Sequence, residues 1–235
     1  MKLAMWSGPR NLSTAMMYSF AARGDCAVVD EPFYGAWLKV SGADHPMRDE
    51  IIADMECDAE AVAAGLAGPI PGGKPHLYLK VMPHQMPEGF PLGWADACTN
   101  VHLIRHPARV VASYGAKREL PDLEELGYRQ QVEMWTRLPG PVIDSADIRA
   151  DPAAALEALC AEVGLPWTEA MLSWPEGGRP EDGVWASHWY PAVHASTGFA
   201  GAEGPLPELE GRAAELVAEA LPFYEELRAR ALVPR

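Results

Sequence analysis

The chain begins with a short apolar run, a turn-rich loop and a helix-forming segment in direct succession. Residues 3–6 (LAMW) predict a buried strand, residues 7–12 (SGPRNL) predict a loop, and Ser13 and Thr14 open a stretch of helical periodicity. The first N–H groups of a helix have no partner inside it, and the helix dipole favours negative charge there. Arg10 adds a cation with a planar donor fork. The unit therefore predicts an anion site, unless Ser13 and Thr14 only cap the helix.

Short apolar runs alternate with helical patterns along the rest of the chain. Further strands are predicted at 26–30, 76–81, 101–104 and 141–144. Helical patterns cover 33–66, broken at 42–46, and then 108–117, 123–138, 151–163 and 208–232, with a loop at 68–75. Such alternation predicts an α/β fold, a mainly parallel central sheet flanked by helices, with ligands at the carboxyl ends of the strands. We expect residues 1–235 to form a single domain of this kind.

The charge balance restricts the partners of such a protein. With 33 acidic against 19 basic residues the net charge is −14, so the surface repels nucleic acid and anionic membranes. A phosphate-bearing ligand then requires a local concentration of Arg, Lys and helix N-termini. No apolar run approaches the ~20 residues of a membrane span, and the N-terminus lacks the layout of a signal peptide.

The four cysteines are Cys26, Cys57, Cys98 and Cys160, and they are widely scattered. This spacing predicts reduced thiols rather than disulfides or zinc ligands, which favours a cytoplasmic protein. Nothing in the sequence indicates its oligomeric state.

Charged residues stand where predicted strands end. Glu31 directly follows the strand 26–30. Its carboxylate either acts as a base or caps the segment that follows. Lys80 lies near the end of 76–81, and His84 lies just beyond that strand. Because a buried lysine needs a partner, this strand either buries a paired Lys80 or is an edge strand with Lys80 in solvent.

A second cation follows the strand 101–104. Arg105 stands at the strand end beside the N-terminus of the predicted helix 108–117. Ser113 lies two turns into that helix, and Arg109 shares a helix face with it.

Residues 175–207 are rich in Gly and Pro but carry the aromatic side chains Trp185, Trp189, Tyr190 and Phe199. A long irregular segment in a compact domain is usually functional or disordered, and aromatic content argues against disorder. We expect this segment to cover substrate or cofactor, through adenine stacking, an acceptor pocket or a lid, or else to form a satellite hydrophobic cluster.

The first strand–loop–helix unit does not match an ATP-binding P-loop, G-x-x-x-x-G-K-S/T. Counted from Gly8, Ser13 stands where the second glycine belongs and Thr14 stands where the lysine belongs. No strand ends in an unambiguous metal-binding Asp, and a G-x-G-x-x-G fingerprint is absent. An ATP kinase or GTPase is therefore disfavoured.

Three segments, in order, resemble the sulfotransferases that use 3′-phosphoadenosine 5′-phosphosulfate (PAPS). Residues 9–14 (PRNLST) resemble the family's 5′-phosphosulfate loop, roughly K/R-S-G-S/T-T. Residues 101–114 (VHLIRHPARVVASY) are similar to its 3′-phosphate motif, a strand ending in Arg-x-Pro with Ser eight residues past the Arg. Residues 146–166 are similar to its later E-D-L…D-P…L-G-L-P segment. The resemblance implies a P-loop NTPase-like sulfotransferase architecture, with PAPS as co-substrate and a small-molecule acceptor bearing a hydroxyl or an amine.

The resemblance also implies roles for individual residues. Arg10, Ser13 and Thr14 would hold the 5′-phosphosulfate, and Arg105 and Ser113 would hold the 3′-phosphate. The cofactor-binding loop as a whole would consist of Gly8, Pro9, Arg10, Asn11, Leu12, Ser13 and Thr14.

Two positions depart from the family pattern. Lys80 matches a lysine near the transferring sulfuryl group, but Met82 stands where many members have a histidine base. The base is then Glu31 or His84, while Arg10 and Lys80 stabilise charge without a metal. Leu12 stands where the family usually has Gly, so we expect Gly8 to supply the tight turn.

Two other functions are compatible with the sequence. One is a P-loop-like nucleotide kinase or hydrolase, which would bind ATP with Mg²⁺. The other is a non-catalytic adenine-nucleotide-binding protein that kept the anion sites and lost the base. Met82 supports this hypothesis, because it stands where many family members have a histidine base.

Overall fold

The computed structural model describes residues 1–116 and 119–234, and within them the chain forms one parallel sheet. Its five strands run in the order β2-β3-β1-β4-β5. Every neighbouring pair is parallel, which confirms the predicted architecture. The strands are β1 Lys2–Ser7, β2 Cys26–Asp30, β3 His76–Val81, β4 Thr99–Ile104 and β5 Val142–Asp144.

Helices connect and flank these strands. They are α1 Ser13–Ala22, α2 Tyr34–Ser41, α3 Arg48–Asp54, α4 Ala59–Ala67, α5 Pro107–Gly115, α6 Leu123–Leu126, α7 Tyr128–Arg137, α8 Ser145–Ala150, α9 Pro152–Val163, α10 Ala186–Trp189, α11 Pro191–His194 and α12 Gly211–Arg228. Short 3₁₀ turns occur at Pro71–Gly73, Pro83–Gln85, Gly93–Ala97 and Glu169–Leu172.

The helices differ from the sequence predictions mainly at their ends. The predicted helix 123–138 is two helices, because Gly127 adopts a φ of 74° and breaks the run. The last helix spans 211–228 rather than 208–232. The predicted end of α5 at Lys117 lies outside the described residues.

The core lies on both faces of the sheet. On one face, α1 and α9 pack against the strands through side chains such as Met17, Phe20 and Leu159. On the other face, Trp6, Phe33 and Trp94 pack within a second apolar cluster, in which the rings of Phe33 and Trp94 stack. Helix α1 is apolar on most of its surface because it is buried in this core. It therefore holds its N-terminus firmly at the carboxyl ends of the strands.

The position of β3 decides between the two alternatives for Lys80. Strand β3 lies inside the sheet, between β1 and β2, and Lys80 has no exposed surface. The edge-strand alternative is therefore wrong.

Two other sequence features can be compared with the structure. Within the described residues, no helix is both long and apolar enough to cross a membrane. All four cysteines are free thiols, with Cys26 and Cys160 buried and Cys57 and Cys98 half-buried.

Candidate functional site

A cavity of about 290 Å³ opens at the carboxyl ends of β1, β2, β3 and β4. This is close to the lower end of the volumes that small-molecule sites occupy. The predicted site residues that line it are Pro9, Arg10, Leu12, Ser13, Thr14, Glu31, Lys80, His84, Arg105 and Ser113. Gly8 and Asn11 instead border a small recess beside Leu126 and Gly127. The structure thus brings the two distant arginines of the sequence analysis into one cleft.

The loop before α1 makes its turn with residues other than glycine. Arg10 and Leu12 adopt φ values of 61° and 72°, a left-handed conformation that costs a non-glycine residue on the order of 1–3 kcal/mol. Gly8 does not make the tight turn, so that expectation is wrong. Gly8 is required by close approach instead, because a Cβ there would lie 2.8 Å from the backbone oxygen of Leu126.

Arg10, Arg105 and Ser113 are joined by hydrogen bonds. Arg10 Nε donates to Ser113 Oγ at 3.0 Å, and Arg105 Nη1 donates to the carbonyl oxygen of Arg10 at 2.7 Å. Burial, together with the charge of Arg105, lowers the pKa of Arg10 from its ordinary value. Two guanidinium groups and the N-terminus of α1 therefore contribute positive charge to the lining of the cavity, which favours an anion there.

Lys80 is the centre of a buried ion cluster at the floor of the cavity. Its Nζ donates to Asp30 Oδ1 at 2.9 Å, to Glu31 Oε1 at 2.7 Å and to Tyr190 Oη at 2.5 Å. The parallel register places Asp30 opposite Lys80. Burial opposes the charged form of Lys80, but the charges of Asp30 and Glu31 outweigh burial and raise its pKa above the ordinary value.

Glu31 remains ionised because it faces donors on two sides. Besides Lys80, Gln85 Nε2 donates to Glu31 Oε2 at 2.6 Å. Burial alone would raise the pKa of Glu31, but Lys80 outweighs it and lowers this pKa. Glu31 also adopts a φ of 42°, a strained conformation for a residue other than glycine, and it lines the cavity.

His84 also contacts the cavity, but as a neutral imidazole. Burial lowers the pKa of His84 to about 4. Its Nδ1 is buried and has no hydrogen-bond partner among the described residues. Both Glu31 and His84 are therefore unprotonated near neutral pH, and the choice of base stays a prediction.

A second polar chain was not predicted from the sequence. Tyr34 Oη lies 2.8 Å from His45 Nδ1, and His45 Nε2 lies 3.1 Å from Glu125 Oε1. Tyr34 and His45 line the cavity. The three residues come from α2, the loop after it and the distant α6, so no local sequence pattern connects them.

The aromatic segment 175–207 contributes both to a buried hydrophobic cluster and to the lining of the cavity. Trp185 and Tyr190 belong to a buried cluster with Tyr34 and Trp37. Tyr190 also lines the cavity, together with Trp189 and Phe199. Stacking on adenine stays a prediction.

The site offers no conventional metal centre in the part of the chain that the structure describes. In 1–116 and 119–234, no group of three or more His, Cys, Asp or Glu side chains is arranged to hold a metal ion.

A family model matches nearly the whole chain. The model of a family described as "Sulfotransferase domain" matches residues 1–231. Among solved structures, the sulfotransferase domain from the olefin synthase of Synechococcus PCC 7002 is similar with a TM-score of 0.57, at 17% sequence identity over 94% of each chain. At that identity the likeness concerns the fold alone.

Two curated relatives from Arabidopsis thaliana are closer in sequence. "Branched-chain-amino-acid aminotransferase-like protein 2" is 37% identical over 95% of this chain, and "branched-chain-amino-acid aminotransferase-like protein 1" is 38% identical over 95% of it. The chain spans only 40% and 41% of the lengths of these relatives.

Proposed function

Because the chain belongs to the sulfotransferase-domain family, we propose that it moves a sulfuryl group from PAPS to a hydroxyl or amine of a small-molecule acceptor. One observation carries the proposal. Arg10 and Arg105, 95 residues apart in the chain, line the same cavity beside the N-terminus of α1. Two separate cationic positions in one cleft suit a nucleotide that is charged at both its 3′ and 5′ positions.

The N-terminus of α1 is the proposed site of the 5′-phosphosulfate. Ser13 and Thr14 line the cavity there, and Arg10 lines the same cavity. Negative charge builds on the bridging oxygen of the nucleotide as the sulfur–oxygen bond breaks. Fixed donors and cations directed at that oxygen lower the barrier, by analogy with phosphoryl transfer.

Lys80 is the third proposed source of positive charge. Its ammonium group is fixed by Asp30, Glu31 and Tyr190, so its position is set before substrate binds. To donate to the bridging oxygen, Lys80 has to exchange one of these three acceptors for the nucleotide. Its raised pKa keeps it charged throughout.

The acceptor loses a proton as its oxygen or nitrogen bonds to sulfur. Glu31 and His84 both line the cavity in a proton-accepting form, and a general base typically contributes ~10²–10⁴-fold to rate. The variants Glu31→Gln and His84→Gln separate them. The variant that removes the base should lose kcat with little change in the affinity for adenosine 3′,5′-bisphosphate.

Thermal unfolding with two nucleotides and a buffer control tests which nucleotide the protein binds. Tm is compared for adenosine 3′,5′-bisphosphate, ATP with Mg²⁺ and buffer alone, because a ligand that binds only the folded state raises Tm by mass action. The proposal expects a shift with the bisphosphate. A shift with ATP and none with the bisphosphate would favour a kinase or hydrolase instead.

Labelled PAPS with a panel of hydroxyl and amine metabolites tests catalysis. Transfer of label to any acceptor supports the proposed reaction. Binding of the bisphosphate without any labelled product would favour a non-catalytic nucleotide-binding protein. We also propose that the protein acts in the cytoplasm, a reducing compartment that suits four free thiols.

A further inference from the structure

One carboxylate meets three arginines beside the proposed nucleotide site. Glu203 Oε1 pairs with Arg105 Nη2 and lies 3.0 Å from Arg149 Nη1. Glu203 Oε2 lies 2.8 Å from Arg109 Nε. Only 4% of the Glu203 side chain is exposed, so these contacts are largely shielded from water and salt.

The three arginines belong to separate elements that meet at the carboxyl edge of the sheet. Arg105 follows β4, Arg109 lies in α5 and Arg149 lies in α8. Together they carry three positive charges against the single charge of Glu203. Arg105 Nε is also buried without a hydrogen-bond partner in the described part of the chain. The cluster thus has both charge and a donor left for an anion with more oxygens than a carboxylate, such as a phosphate monoester.

The segment that carries Glu203 is held in place by the same arginines. Arg149 Nε donates to the carbonyl oxygen of Gly201 at 2.9 Å, and Arg109 Nη2 donates to that of Gly204. Within the described residues, the hydrogen bonds of 200–208 all come from these three arginines. Because the arginines supply these hydrogen bonds, a ligand that takes over the arginines removes most of what holds the segment in place.

We propose that the Glu203 carboxylate occupies the place of the nucleotide's 3′-phosphate, and that the phosphate exchanges with it between Arg105, Arg109 and Arg149. The inference rests on the proposed function, since it takes the bisphosphate as ligand. It adds Arg109 and Arg149 to a 3′-phosphate site for which the sequence indicated Arg105 and Ser113. The exchange replaces one negative charge with up to two, and 200–208 moves away as the nucleotide enters.

This competition lowers the apparent affinity of the wild-type protein. The binding-competent form is the one in which Glu203 has left the arginines, and the apparent Kd is the intrinsic Kd divided by the fraction of that form. Removing the charge of Glu203 increases the fraction. This larger fraction raises the apparent affinity only for a ligand that carries a 3′-phosphate.

Calorimetric titration of matched variants tests the exchange. Glu203→Gln is compared with Glu208→Gln, which removes the same charge from an exposed position in the same segment. Each is titrated with adenosine 3′,5′-bisphosphate and with adenosine 5′-monophosphate, which lacks the 3′-phosphate. We expect Glu203→Gln to bind the bisphosphate on the order of tenfold more tightly. Its affinity for the monophosphate, and both affinities of Glu208→Gln, should match wild type within about twofold.

The outcomes separate the inference from the proposed function. If Glu203→Gln binds the bisphosphate no more tightly than wild type, or gains equally for both nucleotides, the inference is overturned and the proposed function stands. If neither wild type nor any variant binds the bisphosphate, both are overturned.

Arg149→Gln provides a second test should Glu203→Gln fail to fold. It should weaken bisphosphate binding on the order of tenfold, the value of a charge-assisted hydrogen bond, and leave monophosphate binding unchanged. An unchanged affinity for the bisphosphate would overturn the assignment of Arg149 to the 3′-phosphate site.

Discussion

Replacing Lys80 with methionine tests how the ion cluster beneath the cavity is balanced. The Lys80 side chain is fully buried, and only 1% of Asp30 and 8% of Glu31 is exposed. Methionine has a similar volume, so packing changes little. The substitution leaves two carboxylates without their cation, and removing one partner of a buried pair costs ~3–5 kcal/mol. For a chain of this size that corresponds to a fall in Tm of roughly 6–20 °C.

The loss should depend on pH in a defined direction. In the wild type, burial raises the pKa of Asp30 to about 6, whereas Lys80 lowers the pKa of Glu31. Without Lys80, both folded-state pKa values rise above those of the unfolded chain. A raised carboxylate pKa means that the folded state binds protons first, so stability is regained as pH falls through that pKa. The deficit of the variant should be largest above pH ~6 and smaller at pH ~5.

Urea unfolding followed by circular dichroism at pH 8, 6.5 and 5 measures this deficit. Lys74→Met is the control, because Lys74 is half-buried and donates to an uncharged partner, the carbonyl oxygen of Cys26, at 3.2 Å. Adding Glu31→Gln to Lys80→Met should recover part of the loss. A deficit that equals that of Lys74→Met, or that does not change with pH, would refute the reasoning.

Three further predictions concern the cavity and its surroundings. Arg105→Ala should weaken bisphosphate binding roughly 10- to 100-fold. Its Tm should change little, since two other arginines still neutralise Glu203. Calorimetry that finds an unchanged Kd would remove Arg105 from the site. Gly8→Ala puts a Cβ 2.8 Å from a backbone oxygen and should lower the free energy of unfolding in urea by ~1–3 kcal/mol. In the control Gly65→Ala in α4, the new Cβ meets nothing within 4 Å and should raise that free energy by ~0.5–1 kcal/mol. Equal effects would contradict the close approach at Gly8. The folded-state pKa of His84 is lowered from 6.5 to about 4, so His84 is protonated in the unfolded chain before it is protonated in the folded protein. Stability should therefore fall as pH drops from 6.5 toward 4. Identical pH profiles of stability for wild type and His84→Gln would show that His84 does not titrate in this way.

The features that were predictable from sequence are those governed by short-range patterns. Apolar runs placed β2 and β3 at their observed bounds, 26–30 and 76–81. Strand ends then indicated where Glu31, Lys80 and Arg105 would gather, because parallel strands present their carboxyl ends at one edge.

The features that were not predictable depend on long-range contacts. Glu203 lies in a segment of low regularity, and its position against Arg105 arises from elements 98 residues apart. The chain from Tyr34 through His45 to Glu125 spans three elements in the same way. The sequence predicted that Gly8 would make the tight turn, because Leu12 stands where the family usually has glycine. In the structure Arg10 and Leu12 themselves adopt the left-handed conformation, which the surrounding contacts impose on them.

A crystal structure of the complex with adenosine 3′,5′-bisphosphate tests the central claim most directly. The account predicts the 5′-phosphate at the N-terminus of α1 beside Arg10, and the 3′-phosphate against Arg105 with Glu203 moved away. A nucleotide bound outside this cavity, or one whose two phosphates do not reach Arg10 and Arg105, would contradict it.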